Sequence, residues 1–188
     1  MSAPPDLPDV VRRAFEVSRR AGFAFFCRNE TGRLLATLAA TRSGTLAEIG
    51  TGTGVGTAWL RSGIRDDGHI LTAELDSRLA DAAASIFADD DRVEVLAADW
   101  STLQDKGPFS LLFLDSREPT ASGPDAIADL VEPGGLVVLD DFTPCSTWPP
   151  VHDGRGDVLR EQWLTDERFT TVEVMVAPDA SVLIATKS

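Results

Sequence analysis

The chain has 188 residues, 43% hydrophobic and 25% charged, a balance that fits one globular domain with room for a full core. Its formal net charge is −13, with 17 Lys and Arg against 30 Asp and Glu, which argues against DNA, RNA or an anionic membrane as partner and leaves small molecules as the better substrate class. No apolar run is long enough to span a bilayer, and the N-terminal residues lack the charged-then-apolar order of a signal peptide, so a cytoplasmic protein is expected.

Residues 2–8 hold three prolines and read as a loose arm. Residues 8–20 place Val10, Val11, Ala14, Phe15 and Val17 on one helical stripe with arginines opposite, and Gly22 ends the helix. A short apolar piece, residues 23–26, follows. Asn29 can cap a second helix over about residues 30–41, with Leu34, Leu35, Leu38 and Ala39 facing inward. Cys27 and Cys145 stand in no metal or redox spacing and read as inert thiols.

Residues 45–62, TLAEIGTGTGVGTAWLRS, organise the rest. A buried strand over 45–49 runs into glycines at 50, 52, 54 and 56, and an apolar helix opens at Val55. Strand, glycine turn and helix form the layout of a nucleotide-type cofactor site. The dinucleotide spacing G-x-G-x-x-G fails in both registers, because Val55 and Thr57 stand where the third glycine belongs; a Walker loop fails for want of a lysine. The failed dinucleotide registers disfavour a nicotinamide-dependent oxidoreductase. What is present is Glu48-x-Gly50-x-Gly52-x-Gly54. It resembles the first motif of class I S-adenosylmethionine (SAM)-dependent methyltransferases, and EIGTGTGVGTAWL resembles the catechol-type small-molecule O-methyltransferases in particular. The resemblance implies that Glu48, Gly50, Thr51, Gly52 and Gly54 cradle SAM, and that NETGRLLATLA, before the first strand, packs beside the cofactor.

Downstream, residues 69–75 read as the second strand, with Glu74 near its end, 24 residues after Gly50. An acid at about that distance can accept from ribose hydroxyls. Residues 76–88 read as an alanine-rich helix capped by Asp76 or Ser77, stopped by a solvated acidic turn at 89–91. A third strand over 92–97 delivers Asp99 and Trp100. The resemblance implies that Asp99 binds the adenine amino group and Trp100 flanks the ring; the other reading is a helix cap followed by a core tryptophan. Residues 109–114 are nearly all apolar, as in a strand buried on both faces of a parallel sheet. A loop over 116–124, a helix over 125–131, a sharp turn at 133–135 and a fifth strand over 136–139, ending in Asp140-Asp141, come next. The irregular stretch 142–156 can form an active-site wall. A helix over 157–165 and an antiparallel pair, 169–176 and 181–186, close the chain.

The expected fold is α/β: a Rossmann-like, seven-stranded, mostly parallel sheet with the last strand antiparallel and helices on both faces. It forms a single domain over 1–188, with 1–44 as an N-terminal helical cap segment. In the resembling family, an Asp after the fourth strand and an Asp-Asn pair after the fifth bind a divalent cation that lowers the pKa of the attacking hydroxyl. Asp115, Asp140 and Asp141 occupy those positions, and three hard oxygen donors suit Mg²⁺, Ca²⁺ or Mn²⁺. The chain departs from the pattern twice: Asp141 replaces the Asn, and Glu118 replaces the lysine that takes the hydroxyl proton. Without a metal, Asp115 or Asp141 could be the general base, or His152 could reach in from its loop. The reading is a SAM-dependent methyltransferase acting on a small-molecule hydroxyl; the alternative is a SAM-binding protein that transfers nothing. The family commonly pairs, so a homodimer is possible.

Overall fold

The computed structural model describes residues 6–188. Residues 2–5 of the proline-rich arm lie outside the described residues, and 6–8 are irregular. Helix α1 (Asp9–Ala21) ends at Gly22, whose left-handed backbone lets the N–H groups of Gly22 and Phe23 turn back onto the carbonyls of Arg19 and Ser18. Helix α2 spans Asn29–Ala39. Asn29 does not cap it: the capping position is Arg28, with no side-chain cap bond, and Asn29 is already helical.

Seven strands form one sheet. They are β1 (Thr45–Ile49), β2 (His69–Glu74), β3 (Val93–Ala97), β4 (Phe109–Leu114), β5 (Val131–Phe142), and, after the small hairpin β6 (Val151–His152) with β7 (Arg155–Gly156), β8 (Phe169–Ala177) and β9 (Ala180–Lys187). The order is β3-β2-β1-β4-β5-β9-β8. The first five strands are parallel, and β9 runs antiparallel to both β5 and β8. The expected sheet, with its final strand reversed, is therefore the observed one. Strands β1 and β4, buried on both faces, are near-continuous apolar runs because helices cover both sides.

Two apolar clusters fill the two faces. One joins Leu35, Leu46, Trp59, Leu60, Phe113 and Val138 beneath α1, α2, α3 (Val55–Gly63) and α4 (Ser77–Ala84). The other joins Leu112, Leu114, Ile127, Leu130, Trp163 and Leu183 beneath α6 (Gly123–Ile127) and α7 (Val158–Thr165). Trp59 seats directly on Gly32, where any side chain on α2 would collide with the indole, which fixes the close approach of α2 to α3.

Several local expectations need correcting. Helix α4 stops at Ala84, short of 88, and Asp76 is its cap, accepting from the Arg78 N–H at 2.9 Å. Asp90 in the acidic turn is tied to Arg61 at 2.5 Å and is not simply solvated. The stretch read as a loop over 116–124 contains helix α5 (Arg117–Ala121), which local i+4 bonding sustains despite its Pro and small polar residues. The turn at 133–135 is an irregularity inside β5, where the register against β4 shifts between Phe109 and Leu111.

Candidate functional site

Strands β1 and β4 are neighbours whose connections leave to opposite sides, the place where open α/β sheets take ligands. At that edge the chain leaves β1 through Gly50, Gly52 and Gly54, with φ of 94°, 53° and 89°. These left-handed values require glycine. Space requires it too: a Cβ on Gly50 would run into the Asp115 carbonyl oxygen as β4 exits beside it. Thr51 O accepts from the Gly54 N–H at 2.8 Å, closing the turn before α3.

Glu74, at the end of β2, reaches across to this turn. Its Oε2 accepts from the Gly52 N–H at 2.8 Å and its Oε1 from the Asp76 N–H at 2.9 Å. A ridge of two backbone donors thus fixes the carboxylate, and its remaining lone pairs can face a ligand.

Glu48 does something else. It is fully buried beneath the turn. Its Oε2 accepts from the hydroxyls of Thr57 on α3 and Thr72 on β2, the latter at 2.8 Å, and Thr72 in turn shares a hydrogen bond with Thr51. Its Oε1 has no partner and lies against Gly56. Burial pushes its pKa from 4.5 to about 7, against the pull of the two threonine hydroxyls.

A cavity of about 450 Å³ opens at this edge, within the range of small-molecule sites. Four groups line it: the glycine turn with Val55 and Gly56; Glu74; Asp115 with Ser116; and Asp140 with Asp141. The last wall is the strap of residues 23–28, which joins α1 to α2. Asp140 and Asp141 sit in a bulge, because β5 gains one residue over β9 between Leu139 and Phe142. Asp141 takes φ 67° there. The expected strand end is thus a bulge that re-aims both side chains, a device frequent beside active sites. Burial first, then repulsion from Asp140, holds the Asp115 carboxyl well above its ordinary range. Burial raises Asp140 to about 6, although the Thr31 hydroxyl donates to it at 3.3 Å.

Of the residues picked from sequence, the structure brings together Gly50, Thr51, Gly52, Glu74, Asp115, Asp140 and Asp141 at the cavity. Glu48 and Gly54 lie behind its wall. Asp99 and Trp100 do not line it. Asp99 caps a short 3-10 turn, accepting from the Ser101 N–H at 2.9 Å, and Trp100 packs against the second apolar cluster. His152 stands on the β6 strand, more than half exposed and away from this cavity. Among the described residues, no group of three or more His, Cys, Asp or Glu side chains is arranged to hold a metal ion. No helix there is long and apolar enough to cross a membrane.

Sequence reasoning missed the strap. Its signal was present: three of the nine phenylalanines fall within residues 23–26, matching neither helical nor strand periodicity. Cys27, read as an inert thiol, is buried in the cavity wall, and burial together with the nearby carboxylates raises its pKa well above the ordinary thiol value.

The comparisons agree with this geometry. A family model described as a methyltransferase domain matches residues 47–142, just over half the chain. A Mycobacterium tuberculosis H37Rv protein named "Probable O-methyltransferase Rv1220c" is 33% identical over 119 residues, covering 57% of this chain and 52% of that one. The match thus spans about half the length of the curated relatives. Among solved structures, an O-methyltransferase from Bacillus cereus in complex with SAH superimposes with a TM-score of 0.77 at 22% identity, covering 97% of this chain and 93% of that one. TomG, an O-methyltransferase from Streptomyces achromogenes in complex with SAM, gives 0.76 at 22% identity, with coverage of 97% and 92%. The fold is thus shared with solved methyltransferase structures, and the chain belongs to the methyltransferase-domain family.

Proposed function

We propose that the protein is a SAM-dependent methyltransferase that transfers a methyl group to a hydroxyl oxygen of a small molecule. The observation that carries this is Glu74 fixed by the Gly52 and Asp76 N–H groups at the rim of the glycine turn, inside the cavity. The cradle fits the cofactor: glycines let the backbone approach a ligand closely, and the wall offers carboxylates where a cationic amino-acid tail would lie. When bound, SAM would supply an electrophilic methyl group. Gly50, Thr51 and Gly52 would hold its amino-acid end and Glu74 its ribose. Glu48 and Gly54 would act from behind the turn, by shaping it. Asp99 and Trp100 would meet the adenine on the next segment of the same edge; the Ala98 N–H already donates to the Glu74 carbonyl at 2.9 Å.

Transfer depends mainly on positioning the acceptor oxygen, and on a base to take its proton. Asp115 and Asp141 are the proposed catalytic carboxylates. Burial raises the pKa of Asp115, which suits it to accept a proton. Asp115, Asp140 and Asp141 have the donor chemistry of a Mg²⁺ site, but their arrangement does not gather them as a ligand set, so no step is assigned to a cation. A single domain over 1–188 with 1–44 as its cap, a cytoplasmic location and a homodimer complete the proposal on the sequence reading. The alternative without methyl transfer is not favoured by the relatives' names.

Calorimetry with S-adenosylhomocysteine and with NAD tests the cofactor. Binding of the first and not the second is expected, and failure of the first to bind would overturn the proposal. Transfer to a hydroxyarene in EDTA that matches transfer with added Mg²⁺ would remove the cation from consideration.

A further inference from the structure

We infer that helix α1 and the start of the strap belong to the cofactor-binding machinery: Ser18 and Phe23 are positioning residues that hold Gly52 and Thr53 of the glycine turn in the shape that takes SAM. The inference rests on the methyltransferase reading and extends its cofactor site to the N-terminal segment.

The turn alternates its glycines with Thr51, Thr53 and Val55. Gly50, Gly52 and Gly54 let it adopt left-handed backbone, but glycine also has more conformational freedom to lose than any other residue. One shape therefore has to be imposed from outside. The two threonines between the glycines are both buried, and each is tied to a different element. Thr51 is tied to the sheet, where its hydroxyl oxygen lies 2.5 Å from that of Thr72 on β2. Thr53 is tied to α1: its Oγ1 lies 2.5 Å from Oγ of Ser18, 35 residues away in the chain. The Ser18 hydroxyl donates to the Ala14 carbonyl at 3.1 Å, so its one proton is used and Thr53 is the donor between the two. Ser18 is buried as well. Removing it strands the Thr53 hydroxyl away from water, and the turn must move to satisfy it.

Phe23 acts on the neighbouring residue. Its ring packs 3.0 Å from where a Cβ on Gly52 would stand, while Glu74 accepts from the Gly52 N–H at 2.8 Å. Phe23 lines the cavity too. Both contacts come from one helix end. The chain reverses at Gly22, and the Phe23 N–H donates back to the Ser18 carbonyl at 3.0 Å, so the two residues are joined to each other as well as to the turn. Helix α1 is itself fixed, because Val11 and Ala14 are buried in the first apolar cluster and the helix packs against α3 and α4. A turn held from two elements is preformed for its ligand. With an anchor removed, only a fraction of the molecules carry the competent turn, and the dissociation constant rises by the inverse of that fraction.

The test is calorimetry of the full chain with S-adenosylhomocysteine, well below the melting temperature of each variant. Ser18→Ala and Thr53→Val should each raise the dissociation constant about fivefold to tenfold. The double variant should be no weaker than the weaker single one, since both changes break the same contact. Thr53→Ser keeps the hydroxyl and should bind within about twofold of wild type. Phe23→Ala, at a partly exposed position, should raise the constant by a factor similar to that of Ser18→Ala. Ile127→Val lowers stability from the second apolar cluster, away from the turn, and should leave the affinity unchanged. The rescue and this control separate positioning from a general loss of stability. Wild-type affinity in Ser18→Ala or in Phe23→Ala, no rescue by Thr53→Ser, or an equal loss in Ile127→Val would overturn the inference. If Ser18→Ala did not fold, Phe23→Ala and Thr53→Ser would decide it in the same way. A wild-type protein that binds no S-adenosylhomocysteine would instead overturn the methyltransferase reading.

Discussion

Replacing Glu48 by Gln should flatten the dependence of stability on pH. The side chain is fully buried, and its pKa stands at about 7 in the fold against 4.5 in an unfolded chain. An acid whose folded pKa is raised contributes no penalty below pH 4.5. Between 4.5 and 7 the folded state holds a proton that the unfolded state has lost, so stability falls as pH rises, and it levels off above 7. The full shift corresponds to about 3 kcal/mol, of which about 2 kcal/mol falls between pH 5.5 and 8.5. Gln keeps an acceptor for Thr57 and Thr72 but cannot ionise. Its buried amide costs a roughly constant amount at every pH, so the slope and not the offset carries the information. Glu48's charge also raises Asp115, so removing it flattens the profile further in the same direction. Urea denaturation of both proteins across that pH range measures the effect. The wild-type protein should lose about 2 kcal/mol more than the variant. Parallel profiles would refute the claim that Glu48 ionises at a cost beneath the turn.

Three further outcomes are expected. Glu74→Ala should weaken S-adenosylhomocysteine binding at least about tenfold by calorimetry, since it removes a charged acceptor and frees the Gly52 N–H; unchanged affinity would remove Glu74 from the cofactor site. Gly50→Ala should destabilise the fold by about 2 kcal/mol or more in urea, because φ is 94° and the new Cβ meets the Asp115 carbonyl. Arg160→Met should cost about 3–5 kcal/mol, because the buried guanidinium holds Asp157, Glu173 and the Thr143 carbonyl together at 2.7–3.0 Å; a melting temperature within about 2 °C of wild type would contradict that.

Much of the sheet was legible in the sequence. The runs 45–49 and 109–114 coincide with β1 and β4, since strands buried on both faces leave mostly apolar stretches, broken here only by Thr45, Glu48 and Ser110. The glycine turn was readable because backbone geometry dictates its residue type, and Glu74 because it stands at the end of the second strand, 24 residues after Gly50. Side-chain direction was not. Glu48 and Glu74 both end near the turn, yet one points beneath it and the other into the cavity, a difference set by which threonines and N–H groups are in reach. The bulge at Asp140-Asp141 depends on pairing with β9, some 40 residues away, which no local pattern records. Ser18 and Arg160 are buried polar residues, and their partners Thr53, Glu173 and Thr143 are distant in the chain. Helix α5 was hidden by its proline, which serves inside a first turn as readily as in a loop.

The division of the cavity between sheet and strap has a consequence for how such a protein can change. The sheet wall is bound into the core: Gly50 abuts the exit of β4, and Glu48 and Thr72 knit β1 to β2. Few substitutions there would leave the fold intact. The strap carries no strand or helix, and its Phe25 ring is mostly outside the packed interior. Residues 24–26 can therefore be exchanged with little effect on the core, so selection or engineering can reshape what enters the cavity while the half that grips the turn stays as it is.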